Sequence, residues 1–87
     1  MPFEVIFKPS IEKDLKFIPK QQIHLILNKI ELLKTNSFPY NSLKLSGTRA
    51  LYRIRIGDYR SIYSVDHNLM RIIIHYIQHR RDVYRSI

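Results

Sequence analysis

The amino-acid sequence predicts an α+β fold of element order βααβββ, in which a two-helix hairpin packs on one face of a mainly antiparallel sheet. Apolar residues recur at helical spacing in the first half of the chain, whereas the second half contains three alternating runs separated by short turn signals. Helices followed by a run of strands are typical of α+β domains. At 87 residues the chain has room for one domain, residues 1–87, and its C-terminus is predicted to form a short helical segment.

A strand and two helices are predicted in the first half of the chain. The segment FEVIFK, residues 3–8, has the composition of a strand and stops at Pro9. Ser10 can cap a first helix, whose apolar stripe ends before Pro19. A second helix is predicted over residues 20–34, because isoleucine and leucine recur on one of its faces.

The middle of the chain is predicted to be a loop. Residues 35–48 are rich in turn formers, and Leu43 and Leu45 are predicted to anchor this loop on the core. Three strands are predicted after it, at Leu51–Ile56, Tyr59–Val65 and Leu69–Ile77. Because short turns separate these strands, neighbours are predicted to pair antiparallel.

The hairpin LYRIRIGDYRSIY, residues 51–63, places arginine where a strand usually carries valine or threonine. If Gly57 and Asp58 form a two-residue turn, Arg55 lies opposite Arg60. One face of the hairpin, called the arginine face below, then carries three cations: Arg53, Arg55 and Arg60. The tyrosines fall on the opposite face, which the helices would cover, and are predicted core residues: Tyr52, Tyr59 and Tyr63.

The charge of the chain favours an anionic partner. The formal net charge is +8 and the pI is about 10.1, and all seven lysines precede all eight arginines. Arginine presents a planar fork of donors that suits phosphate. Two cations directly opposed across a strand pair repel each other, so the arginine face predicts a phosphate-binding surface. The alternative, for any single arginine, is a solvated charge on an exposed sheet face.

Several classes of protein are excluded by the composition. The chain has no cysteine, which excludes a disulfide framework. It has neither a secretory signal nor an apolar run of the ~18 residues that a membrane span needs, so a cytoplasmic protein without a membrane partner is expected. His75 and His79 lie four positions apart, but no acidic or cysteine ligand accompanies them, and neither a metal nor another cofactor is expected.

The C-terminal segment YIQHRRDVYRSI, residues 76–87, carries a second set of candidate residues. If a helix begins at His79, Arg80 and Tyr84 lie at i and i+4 on one face and can act together. Histidine titrates near neutral pH and suits general acid catalysis, so His79 is a further candidate. Whether it lies on the arginine face depends on the length of the turn at residues 66–68.

The two segments together carry a family resemblance. LYRIRIGDYRSIY followed by IQHRRDVY resembles the RelE branch of the RelE/ParE superfamily, the toxins of type II toxin–antitoxin systems. The resemblance extends over nearly the whole chain, since SIEKDLKFIPKQQIHLILNKI is similar to the helical hairpin of these toxins and LKLSGTRALYRIRIGDYRSIY to their central strands.

The resemblance implies an endoribonuclease, or mRNA interferase, that cleaves mRNA without a metal, typically in the ribosomal A site. By position, Arg60 and Arg80 would clamp the scissile phosphate. Arg53 and Arg55 would bind this phosphate and its neighbours, but arginine stays protonated and is not expected to act as the base. Tyr84 would stack on a base or assist proton transfer.

The resemblance also implies partners and leaves alternatives. The expected partners are a cognate acidic antitoxin and mRNA on the ribosome, with operator DNA reached only through the antitoxin complex. One alternative is a ParE-like inhibitor of DNA gyrase, which shares the fold; Arg80 and Tyr84 favour the RNA-cleaving branch over it. A second alternative is a non-catalytic basic module that binds RNA or the antitoxin, because the sequence contains no unambiguous general base.

Overall fold

The computed structural model describes residues 2–47 and 50–87. Within these residues the strands are β1 (Glu4–Phe7), β2 (Ser42–Lys44), β3 (Tyr52–Ile56), β4 (Tyr59–Asp66) and β5 (Arg71–His79). The helices are α1 (Ile11–Leu15) and α2 (Lys20–Glu31), with 3₁₀ turns at Leu32–Lys34 and Val83–Arg85. In neither described range is there a helix with the length and hydropathy to cross a bilayer.

The strands form one sheet in the order β1-β5-β4-β3-β2. β1 runs parallel to β5, and the other neighbours are antiparallel. The central strands β4 and β5 share the longest pairing, and β1 and β2 are short edge strands. The predicted α+β class and the mainly antiparallel sheet are therefore confirmed, with one strand more than the sequence predicted.

The core lies between the helices and one face of the sheet. Ile26 and Ile30 of α2 are 0% and 1% exposed, and they belong to the same buried cluster as Ile54 of β3 and Tyr63 of β4. Burying a side chain of this size stabilises the fold by about 1.5–3 kcal/mol. The prediction that the three hairpin tyrosines face the core is confirmed, since Tyr63 is fully buried and Tyr52 and Tyr59 pack against the buried cluster.

Tyr63 also ties the sheet to the loop after α2. Its hydroxyl donates a hydrogen bond of 2.6 Å to the carbonyl oxygen of Ser37, which is itself buried. Burial raises the pKa of Tyr63 above the usual value of a phenol, because the phenolate would lose its hydration. The phenol therefore stays protonated, and so able to donate this bond, to a higher pH than a solvated tyrosine.

The first half of the chain follows the prediction at α2 and departs from it at α1. α2 begins at Lys20, and its helical path continues as a 3₁₀ turn to Lys34. α1 is only five residues long, and Ser10 occupies its N-cap position without a side-chain capping hydrogen bond. The chain then tightens into i to i+3 hydrogen bonds up to Ile18, because the following proline excludes a helical residue at this position.

The predicted loop at residues 35–48 contains the extra strand, β2. Its residues pair antiparallel with β3, with Leu43 opposite Arg53. The prediction that Leu43 anchors the loop on the core is wrong, since this side chain is 53% exposed on the arginine face. Leu45 is half-buried, and its backbone N–H donates to the carbonyl of Leu51. A three-residue edge strand is specified by the strand it joins, and its alternation is too short to distinguish it from a loop.

The end of the chain departs most from the prediction. β5 begins two residues late, because the Asp66 carboxylate accepts two backbone N–H groups and Met70, with a φ of 54°, closes the turn. The condition that a helix begins at His79 does not hold, because β5 pairs with β4 as far as His79, which lies opposite Tyr59. Only one 3₁₀ turn, Val83–Arg85, represents the predicted C-terminal helical segment.

Candidate functional site

The β3–β4 hairpin has the predicted register. Arg55 lies opposite Arg60, and Ile56 opposite Tyr59, across the two-residue turn. Gly57 takes a φ of 61°, the left-handed conformation that this turn requires at its first central position and that glycine adopts without strain. Arg53, Arg55 and Arg60 therefore share the sheet face that points away from the helices.

Arg60 is the most constrained cation of the arginine face. Its Nη1 donates hydrogen bonds of 2.9 Å to the carbonyl oxygens of Gly57 and Tyr59. Partial burial lowers its pKa from the usual value; the phenol of Tyr84 opposes this shift by charge interaction and a hydrogen bond, while Arg53 and Arg55 add to it. The guanidinium is thus held in one orientation, between two backbone carbonyls and Tyr84 and among cationic neighbours.

The charge of this face has no acidic counterpart in the described residues. The ion pairs among the described residues join Lys34 to Glu31, Arg71 to Glu4, and Arg80 to Asp58. None of them involves an arginine of the arginine face. The buried Nε of Arg53 makes no hydrogen bond within the same part of the chain. Opposed, unpaired cations cost up to about 1 kcal/mol per pair, and a bound anion would remove this cost.

The C-terminal segment brings Tyr84 to the arginine face. Tyr84 interacts with Arg60. Ile62 lies on the arginine face, opposite Arg53. Ile62 and Val83 are both fully buried, and both lie outside the core cluster between the sheet and the helices. The 3₁₀ turn containing Val83 packs on β5. The segment therefore covers part of the face opposite the helices and leaves Tyr84 half exposed beside a cation.

A hydrogen-bonded chain that sequence reasoning missed holds this segment in place. Gln78 of β5 pairs opposite Arg60, and its Oε1 accepts a hydrogen bond of 2.8 Å from the hydroxyl of Ser86. Its Nε2 donates to Asp14 Oδ1 at 3.1 Å, and Asp14 Oδ2 accepts the backbone N–H of Ile77 at 3.0 Å. No sequence motif marks these residues, since they lie far apart in the chain and meet only in the fold.

Arg80 lies at the end of the hairpin and is exposed. Its backbone N–H donates to the carbonyl of Asp58 at 2.8 Å, and its Nε is 4.0 Å from the Asp58 carboxylate. It is not among the groups that shift the pKa of Arg60. The structure therefore places Arg80 at the rim of the site and does not pair it with Tyr84 on a helix.

The side chain of His79 lies on the helix side of the sheet, away from the arginine face. It lies opposite Tyr59, whose side chain points to the helix side, and the two rings meet edge to face with centroids 5.5 Å apart. Its Nδ1 accepts hydrogen bonds from the backbone N–H and the Nε of Arg81, at 3.2 and 3.1 Å. The side chain of His79 is thus engaged on the opposite side of β5.

Comparison with known proteins identifies the family. Residues 5–84 match the family described as the ParE toxin of type II toxin–antitoxin system, parDE. RelE1 of Methanocaldococcus jannaschii is 35% identical over 89 residues, which cover 99% of this chain and 99% of that protein. Toxin RelE3 of the same archaeon is 34% identical over 89 residues, covering 93% and 94%.

A solved structure agrees with the sequence matches. A chain of the archaeal RelE–RelB complex from Pyrococcus horikoshii OT3 superposes with a TM-score of 0.79 at 33% identity, covering 92% of this chain and 97% of that one. Sequence and fold thus match over nearly the full length, and the chain belongs to the RelE/ParE superfamily of toxins of type II toxin–antitoxin systems.

Proposed function

We propose that this toxin is an endoribonuclease that cleaves mRNA, at the ribosomal A site, without a metal ion. One observation carries the proposal: three arginines without acidic partners among the described residues share one face, and a tyrosine lies against one of them. The relatives in Methanocaldococcus jannaschii, named RelE1 and RelE3, support the RNA-cleaving branch.

The proposed reaction is an attack of the RNA 2′-hydroxyl on the adjacent phosphorus. The O2′–P bond forms and the P–O5′ bond breaks, which leaves a 2′,3′-cyclic phosphate on one fragment and a 5′-hydroxyl on the other. The proton of the 2′-hydroxyl passes to a base, and a proton is supplied to the leaving 5′-oxygen. The enzyme must also align these atoms and stabilise the additional negative charge on the phosphate.

Arg60 is assigned the charge-stabilising role. Two backbone carbonyls fix its Nη1, so its orientation is set before the substrate binds. Arg53 and Arg55, on the neighbouring strand, are assigned to the non-bridging oxygens of this phosphate and of the next one. Arg80, at the rim, is assigned to a phosphate farther along the RNA, or to the scissile phosphate after the RNA has bound.

Tyr84 is assigned to stack on a nucleobase or to assist proton transfer. It is half exposed and interacts with Arg60, so a nucleotide bound at Arg60 meets the phenol directly. His79 was the other candidate, and it can serve as the acid only if its contacts with Arg81 break and the end of β5 turns over. The geometry therefore favours Tyr84 for this role.

The proposed partners follow from the charge and from the relatives. We propose that a cognate acidic antitoxin covers the arginine face or displaces the segment carrying Tyr84, and that operator DNA is bound only through this complex. The Pyrococcus relative was solved as a RelE–RelB complex, which supports the antitoxin. The proposed substrate is mRNA on the ribosome, in the cytoplasm.

Gyrase inhibition is the second candidate, because the matching family carries the ParE description. Two assays on one preparation separate the candidates. Purified toxin is added to programmed ribosomes and the mRNA is mapped by primer extension, and the same toxin is added to DNA gyrase with relaxed plasmid. New mRNA ends with unimpaired supercoiling are expected. Inhibited supercoiling with intact mRNA would favour the ParE-like activity, and neither effect would favour a non-catalytic module.

A further inference from the structure

A polar groove of about 560 Å³ adjoins the arginine face at the β2 edge of the sheet. Residues 40–43 form one wall, and Arg53, Arg55 and Gly57 form the other. This volume lies within the range of ~300–1,000 Å³ that is usual for small-ligand sites. We propose that the groove is a nucleobase-binding subsite for single-stranded RNA, in which Tyr40 stacks on a base and the two arginines hold its phosphates. The choice of RNA as ligand rests on the proposed function.

Tyr40 provides the stacking surface. Its side chain is 101% exposed, so the ring packs on nothing in the described chain. Its backbone is nevertheless fixed, because the N–H and the hydroxyl of Ser42 both donate to the carbonyl of Pro39, at 2.8 and 2.6 Å. Tyr40 therefore sits at the first central position of a closed turn, where a base can stack on it with little backbone ordering.

Asn41 fixes this turn against β3 and supplies a polar edge. Its Nδ2 donates a hydrogen bond of 3.0 Å to the carbonyl of Arg55. Its Oδ1 makes no hydrogen bond within residues 2–47 and 50–87, so this oxygen can accept one from the edge of a base. An aromatic ring, a fixed amide and two unpaired arginines are the combination that binds a nucleotide of a single strand.

The proposal is tested by binding rather than by cleavage. The probe is a fluorescein-labelled RNA hexamer with 2′-O-methyl groups, which cannot be cut, and its Kd is measured by fluorescence anisotropy at one ionic strength. A series with one abasic nucleotide at each internal position locates the stacked base. The proteins are the full chain and three variants: Tyr40→Ala, Tyr40→Phe and Phe17→Ala. Phe17, 79% exposed between α1 and α2, is the matched control.

Tyr40→Ala is expected to weaken binding about tenfold, which corresponds to the loss of one stacked base. Tyr40→Phe keeps the ring and is expected to bind like the wild type, as is Phe17→Ala. With one of the abasic probes, Tyr40→Ala and the wild type are expected to bind equally. Equal affinity of Tyr40→Ala and wild type for the intact hexamer would overturn the proposal, and so would an equal loss in Phe17→Ala.

Three further outcomes have defined meanings. If Tyr40→Ala binds RNA normally but loses affinity for an acidic antitoxin, the groove is a protein-binding surface and the proposal is overturned. If the chain binds the hexamer in a Tyr40-dependent manner but never cleaves mRNA, the subsite stands and the proposed enzymatic function fails. If it cleaves mRNA while Tyr40→Ala binds the hexamer like the wild type, the subsite fails and the function stands.

Discussion

Replacing Arg60 by alanine tests the proposed catalytic role of the arginine face. The change removes a guanidinium held by two carbonyls beside Tyr84. Loss of one prearranged charge-stabilising group costs about 2.7–4 kcal/mol in the transition state, so cleavage is expected to slow about 10²–10³-fold. The assay is the rate of mRNA cleavage on programmed ribosomes under single-turnover conditions.

The same variant is expected to keep its fold. Arg60→Ala loses two hydrogen bonds to backbone carbonyls and one with Tyr84, which at this partly exposed position lie at the lower end of about 0.5–1.5 kcal/mol each, and it relieves repulsion from Arg55 of up to about 1 kcal/mol. A net loss of about 1 kcal/mol lowers the Tm of a domain of this size by about 4–8 °C.

Arg71→Ala is the matched control, since it removes one positive charge and a surface ion pair with Glu4 at the far end of β5. Cleavage by Arg60→Ala at a rate close to that of Arg71→Ala would refute the reasoning.

Three other predictions follow from the same geometry. Arg80→Ala is expected to leave the Tm unchanged and to raise the activation free energy of cleavage by about 1.5–3 kcal/mol, because the exposed guanidinium is assigned to a phosphate. An unchanged cleavage rate would remove Arg80 from the site. The raised pKa of Tyr63 means that the unfolded chain ionises first, so urea unfolding should show stability intact below about pH 10 and falling above it. Tyr63→Phe should flatten this fall, and an equally steep fall in the variant would contradict the assignment. A purified acidic antitoxin is expected to raise the Tm and block cleavage together; stabilisation without inhibition would contradict the neutralisation model.

The arginine face could be predicted from the sequence because a local turn determines it. Gly57 and Asp58 close a two-residue hairpin, and the period of a strand then assigns every residue of β3 and β4 to a face. The observed pairing of Arg55 with Arg60 needs no information from the rest of the chain. The core tyrosines were predicted for the same reason.

The contacts that depend on distant residues could not be predicted in this way. β2 exists because it can pair with β3, and its three residues are too short a run for their alternation to identify a strand. The i, i+4 spacing of Arg80 and Tyr84 indicated a helix, but β5 pairs with β4 as far as His79, and the chain beyond it forms only one 3₁₀ turn, Val83–Arg85. Tyr84 therefore contacts Arg60, a partner that sequence spacing does not reveal.

The side of the sheet taken by His79 depended on two nonlocal features. The turn after β4 is longer than the sequence indicated, and a bulge interrupts the pairing of β4 with β5 between Ile62 and Tyr63. Each inserted residue exchanges the two faces of a strand. The sequence shows neither the end of the turn nor the bulge, so it could not place this imidazole.

The chemical ends of the cleaved mRNA test the central claim most directly. Toxin is added to ribosomes programmed with a short mRNA, and the fragments are analysed by mass spectrometry, with Arg60→Ala as the control. The account predicts a 2′,3′-cyclic phosphate on the upstream fragment and a 5′-hydroxyl on the downstream one, since the 2′-hydroxyl is the nucleophile. Fragments ending in a 3′-hydroxyl and a 5′-phosphate, or mRNA that stays intact, would contradict it.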